Sequence, residues 1–146
     1  LAHNIEIVAD ENNLCGEGPI WDSVQDRLLW VDNESCLVFQ FVPSTGETRV
    51  ISRGLMVGGI ALNHDRRLVF GGATGLHIWN QQGDSKTIAA EFQGEPLCFN
   101  DLIAGPRGQV YSGTIYWGPN GMEKLGRLYQ CDPDGSISIA DEGFEV

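Results

Sequence analysis

Apolar residues along this chain fall in short runs closed by Gly, Pro, Asn or Asp. The runs cover residues 5–9, 27–31, 37–41, 48–51, 59–62, 68–70, 76–79, 86–89, 109–111, 127–131 and 136–139. Each has strand length and a β-rich composition. No ten-residue window keeps apolar residues at i, i+3, i+4 and i+7 without a Gly or Pro interrupting it. The pattern therefore predicts an all-β chain. The turns agree. Pro43-Ser44-Thr45-Gly46 and Asp132-Pro133-Asp134-Gly135 each lie between two runs. Pro presets φ at the second turn position, and Gly accepts the left-handed one. The second turn has a faint likeness to a calcium loop, but it lacks the terminal Glu and flanking helices, so a hairpin is expected.

The runs repeat. Glu17-Gly18-Pro19-Ile20-Trp21-Asp22 followed by Arg27-Leu28-Leu29-Trp30-Val31 matches Val57-Gly58-Gly59-Ile60-Ala61-Leu62-Asn63 followed by Arg67-Leu68-Val69-Phe70. It also matches Phe99-Asn100-Asp101-Leu102-Ile103-Ala104 followed by Gly108-Gln109-Val110-Tyr111. A period of about 40 residues with four strands per unit describes a β-propeller blade. Three blades are expected, at about 15–52, 57–90 and 98–141. The leading strand at 5–9 is left to close a ring. Three blades form an open wedge, so the chain reads as one domain, 1–146, that is an incomplete propeller. Two copies related by a two-fold axis could instead close the ring as a homodimer. Trp21, Trp30 and Trp79 are expected in the blade cores. His3, His64 and His77 are expected at the surface or in packing.

Charge narrows the partners. The 146 residues carry 20 acidic and 9 basic side chains, a formal net charge of −11. No basic cluster exists to displace counterions from phosphates, so nucleic acid and anionic membranes are not expected partners. A cation or a neutral polar ligand fits, as does a merely soluble acidic surface. Cys15, Cys36, Cys98 and Cys131 are widely spaced, with no C-x-x-C pair. Four free thiols in a reducing compartment, hence a cytoplasmic protein, are expected. The start has neither a basic nor an apolar signal region and no initiator Met, which suits a trimmed chain or a fragment. The sequon Asn33-Glu34-Ser35 is expected to be unused.

Candidate chemistry lies at the starts of the inner strands, which face the channel of a propeller. Glu17 stands there in the first unit, and Asn100-Asp101 in the third. Val57-Gly58-Gly59 in the second offers no polar side chain. A Glu and an Asn converging from two blades supply hard oxygen donors, suited to calcium or magnesium and sometimes zinc or manganese. The same residues also suit a solvated loop acid and a hydrogen-bonded turn.

The combined motifs resemble one family. Ile5-Glu6-Ile7-Val8, Cys15-Gly16-Glu17-Gly18-Pro19-Ile20-Trp21 and Leu28-Leu29-Trp30-Val31-Asp32 follow the opening of the regucalcin/gluconolactonase (senescence marker protein) family. Phe99-Asn100-Asp101, Pro106-Arg107-Gly108, Ser112-Gly113-Thr114 and Gly126-Arg127-Leu128-Tyr129 continue the match. The resemblance implies the first half of a six-bladed propeller that holds one divalent cation (calcium, zinc, manganese or magnesium) and hydrolyses sugar lactones. It implies Glu17 as a metal ligand and Asn100 as a substrate contact. Cys98 stands where relatives resembling regucalcin carry Arg, and a thiol cannot make that residue's bidentate contact. Substrate preference should therefore differ from gluconolactone, or binding should be weak. Trp117 lies by analogy in a loop over the channel mouth, either as a substrate lid or as packing. The remaining ligands, an Asn and an Asp that serves as the family's base, are expected beyond Val146. The implied mechanism is Lewis-acid polarisation of the lactone carbonyl, with a carboxylate taking a proton from the attacking water. The alternative is a non-catalytic propeller half that binds a metal or a partner.

Overall fold

The computed structural model describes residues 4–145, and they are all-β, with no helix among them. The first sheet is an antiparallel meander of β1 (Gly16–Asp22), β2 (Arg27–Asp32), β3 (Leu37–Val42) and β4 (Glu47–Arg53). The second repeats it with β5 (Val57–Leu62), β6 (Leu68–Gly72), β7 (Gly75–Trp79) and β8 (Ser85–Ala89). A short hairpin, β9 (Glu91–Phe92) with β10 (Glu95–Pro96), leads into the third sheet. That sheet contains β11 (Phe99–Ala104) and β12 (Val110–Thr114). After the hairpin β13 (Trp117–Gly118) and β14 (Gly121–Met122), it is completed by β15 (Gly126–Cys131) and β16 (Ile137–Phe144). The expected unit bounds agree within a few residues, although β16 runs on to Phe144. The two short hairpins were not expected.

Period-two geometry explains why the second sheet reads as unbroken apolar runs. Leu68 and Phe70 join Leu29, Val31 and Val38 in the core between the first and second sheets. Val69, between them in sequence, joins Phe99, Leu102 and Tyr129 in the core between the second and third. Successive side chains point to opposite faces, so a sheet covered on both sides needs apolar residues at every position. Each such side chain contributes roughly 1.5–3 kcal/mol by leaving water. Both expected turns form: Gly46 and Gly135 sit at φ of 69° and 87° and donate to Val42 and Asp132 carbonyls.

One expectation meets no partner strand that could test it, and one is corrected. Residues 5–9 pair with no strand among the described residues, and Ile5 and Ile7 are 96% and 82% exposed. A strand needs a neighbouring edge to satisfy its backbone. The edge strand β16 lies in the third sheet, whereas this segment leads onto the first. Its Ala9 packs against Trp30, Phe39 and Phe41, and Asn13 Oδ1 accepts a 2.8 Å bond from Trp30 Nε1. Trp21, expected in a core, is 46% exposed. It pairs with Leu28 on the outer face of the first sheet, where no second sheet covers it among the described residues. Trp30 is buried on that face and stacks on Phe39 with ring centroids 5.1 Å apart, while Trp79 packs on the core beyond. His64 is exposed, and His77 stacks on Phe70; His3 lies outside the described residues.

Candidate functional site

The three inner strands β1, β5 and β11 share one irregularity. Each carries a bulge near its start, where the register with its partner slips by one residue. The slip falls between Glu17 and Ile20, between Val57 and Gly59, and between Phe99 and Asp101. Bulges re-aim side chains and recur beside functional sites. In β1 an unslipped register would place Glu17 opposite Asp32. The bulge at Gly18-Pro19, with Gly18 at φ 59°, places it opposite Val31 instead. Glu17 Oε1 there accepts a hydrogen bond from Asn33 Nδ2.

β5 contributes through its lack of side chains. A Cβ on Gly58 would meet the Asn100 carbonyl oxygen at 2.1 Å, and one on Gly59 would meet Asp101 Oδ1 at 2.6 Å. The two glycines let β11 approach β5 backbone to backbone, which brings Asp101 towards Glu17. Burial and then the Asp101 carboxylate push Glu17 above the ordinary carboxylate range, against the Asn33 bond that pulls it down. No Lys, Arg or His among the described residues forms an ion pair with either acid. Asp32 is the counterpart below. Burial would raise it, but hydrogen bonds from Cys15, Ser35 and Leu14 outweigh burial and hold it at about 2. That carboxylate pins the backbone of the segment entering Glu17.

The structure brings some expected residues together and leaves others apart. Asn100 is the bulged residue of β11, exposed beside Gly58. Asp101 Oδ1 accepts a 2.7 Å bond from Leu102 N. Cys98 precedes β11; its thiol is half-buried and pushed up by burial, and its carbonyl accepts from Ile115 N. Trp117 stands on β13, 63% exposed, at the same end of the third sheet. All four cysteines are free. Asn33 is the site residue that the sequence pattern did not single out. Asp101 had a signal in its adjacency to Asn100, whereas the signal at Asn33 depends on the bulge.

Two clefts compete for attention. The larger, about 590 Å³, lies at the outer strands of the third sheet. Its cations are already paired, Lys124 with Glu95 at 3.1 Å and Arg127 with Glu142 at 3.3 Å. The smaller, about 330 Å³, runs between the inner strands and is lined by Ile20, Ile60, Ala61, Leu102 and Asp101 among others. This one adjoins the uncompensated acids. Glu17, Asp101 and Asn100 offer hard oxygen donors and surplus negative charge, which fit a divalent cation. Among the described residues no three His, Cys, Asp or Glu side chains group as a cage.

Comparison with known proteins gives this arrangement its relatives. The sequence profile of the SMP-30/Gluconolactonase/LRE-like region matches residues 15–146. A pentonolactonase of Haloferax volcanii is 32% identical over 95% of this chain and 46% of its own length. Human regucalcin is 29% identical over 91% of this chain and 46% of its own. The chain thus spans about half the length of the curated relatives it matches. Among solved structures, a gluconolactonase from Xanthomonas campestris superposes with a TM-score of 0.75 at 24% identity, over 87% of this chain and 48% of that one. A calcium-binding regucalcin from Agrobacterium tumefaciens does so with a TM-score of 0.73 at 20% identity, over 88% and 43%. These likenesses extend to the fold alone. The profile match covers nearly the whole sequence and both acid-bearing inner strands: the chain belongs to the SMP-30/gluconolactonase/LRE-like family.

Proposed function

We propose that this chain is the N-terminal half of a divalent-cation-dependent sugar lactone hydrolase, its three sheets being three consecutive blades of a six-bladed propeller. The observation that carries this reading is Glu17: a partly buried carboxylate at the convergence of three inner strands, facing Asp101 with no basic partner. A perturbed, uncompensated acid beside a cleft is a functional-site candidate on physical grounds. The names of the relatives, pentonolactonase and gluconolactonase, point to cyclic sugar esters as substrates.

Glu17 and Asp101 would hold the cation, with the exposed Asn100 beside them at the bulge of β11. A bound cation supplies Lewis-acid polarisation of the lactone carbonyl. Asn100 presents an amide to the ligand, and Trp117 supplies an exposed aromatic face at the same end. Cys98 presents a neutral thiol, which favours uncharged lactones over substrates with an extra carboxylate or phosphate. The full-length protein should hydrolyse several sugar lactones in a pH-indicator assay, lose turnover on chelation and regain it with calcium or manganese. Glu17→Gln should abolish turnover. Turnover that survives both chelation and Glu17→Gln would sink the reading. Cation binding without turnover on any lactone would favour a binding module instead.

A further inference from the structure

Asn33 follows the last residue of β2 and is tied to the segment that enters β1. Its backbone N–H donates to the Cys15 carbonyl at 3.3 Å. Its side-chain Nδ2 donates to Glu17 Oε1. The orientation this imposes has a cost. Asn33 Oδ1 points into the protein, buried and without a hydrogen-bond donor among the described residues. A buried unpaired acceptor costs about 1–3 kcal/mol. Turning the amide would satisfy nothing at Glu17, because an amide oxygen facing an ionised carboxylate is repelled. The residue therefore gives up its own satisfaction to donate to Glu17. Such an exception calls for an explanation.

We infer that Asn33 is the positioning residue of Glu17: it fixes one carboxylate oxygen so that the other is presented to a divalent cation in a single orientation. The inference rests on the reading of Glu17 as a cation ligand. Two neighbouring residues divide the work. The Asp32 carboxylate accepts from the Leu14 and Cys15 N–H groups, at 2.9 and 3.0 Å, and sets the backbone. Asn33 sets the side chain. Partners that orient a ligating group typically govern ten- to hundredfold in metal affinity.

The test is calorimetric titration of the full-length protein with calcium and with manganese, alongside its thermal midpoint. Asn33→Leu removes the donor and also the unpaired acceptor. Affinity should fall at least tenfold while the midpoint holds or rises. Asn33→Ser, smaller and easier to accommodate, should show the same loss and covers the case in which the leucine variant fails to fold. Glu17→Gln is the reference and should abolish measurable binding. If Glu17→Gln loses the cation while both Asn33 variants bind like wild type, the positioning role is overturned and the ligand assignment stands. A lowered midpoint with unchanged affinity would make Asn33 structural and equally overturn it. Unchanged binding in Glu17→Gln would overturn both.

Discussion

β1 carries an acid near each end, and the two meet opposite fates. Asp22, at the far end, is buried and neutralised: Arg27 Nε donates to its Oδ2 at 3.1 Å, and Val24 and Gln25 N–H groups serve its Oδ1. The guanidinium also donates to Gln40 Oε1 at 2.8 Å and to Gln81 Oε1 at 2.7 Å. Gln81 in turn donates to the Arg66 carbonyl of the second sheet, so this network stitches two sheets together. Glu17, five residues earlier, faces another acid and only one amide donor. A closed network of charge and hydrogen bonds is a structural device, whereas an open one leaves attraction to be satisfied by a ligand. The contrast is what singles out Glu17, rather than Asp22, for the proposed site.

Breaking the closed end should have the largest effect. Arg27→Met would leave Asp22 buried and uncompensated, with Gln40 and Gln81 short of a donor. A loss of about 3–5 kcal/mol is expected in urea unfolding. Little loss would mean that Asp22 is rehydrated in the variant and the network is not closed. Next comes the approach that creates the open end. Gly58→Ala puts a Cβ against the Asn100 carbonyl, a backbone clash that no rotamer relieves. About 3 kcal/mol of destabilisation is expected. If the fold survives, β11 must move away and the Glu17 titration should shift down towards the ordinary range, as followed by carboxyl NMR.

The pH dependence separates the two kinds of acid. Asp32 titrates at about 2 in the fold, so its contribution is present above the ordinary carboxylate value and is lost as pH falls towards 2. Asp32→Asn should flatten the acid limb of a stability-versus-pH curve. Glu17 has the opposite sign. Its folded value is raised, so its contribution is present below the ordinary carboxylate value and is lost as pH rises through the folded one. Glu17→Gln should therefore gain on wild type as pH rises through that window, in chemical unfolding without divalent cations. This is the smallest of the effects, and a gap that shrinks with rising pH would contradict the charge repulsion. Divalent cation should erase the gap by stabilising the wild type alone.

The strand pattern was legible because alternation, turn residues and the 40-residue repeat are local or periodic, and local rules govern them. Three four-stranded sheets, two Gly-bearing turns and the acid at Glu17 follow from residues read in order. Segment 5–9 shows the limit. Its composition suits a strand, yet pairing depends on an available edge, and none of the described strands takes it up. Trp21 shows the same limit for burial, because its face is covered only if another layer lies there.

What the sequence by itself determined is the set of strands and which residues alternate on them, since side-chain period is fixed by backbone geometry. Tertiary structure alone decided the site. A one-residue slip at Gly18-Pro19 moves Glu17 from opposite Asp32 to the face it shares with Val31, within reach of Asn33. Gly58 and Gly59, which looked like a gap in the chemistry, are where two backbones close upon each other and carry Asp101 in. Neither event has a periodic signature. A bulge and a close approach depend on how the sheets pack, and in β1 the bulge moves the Glu17 side chain to the other face.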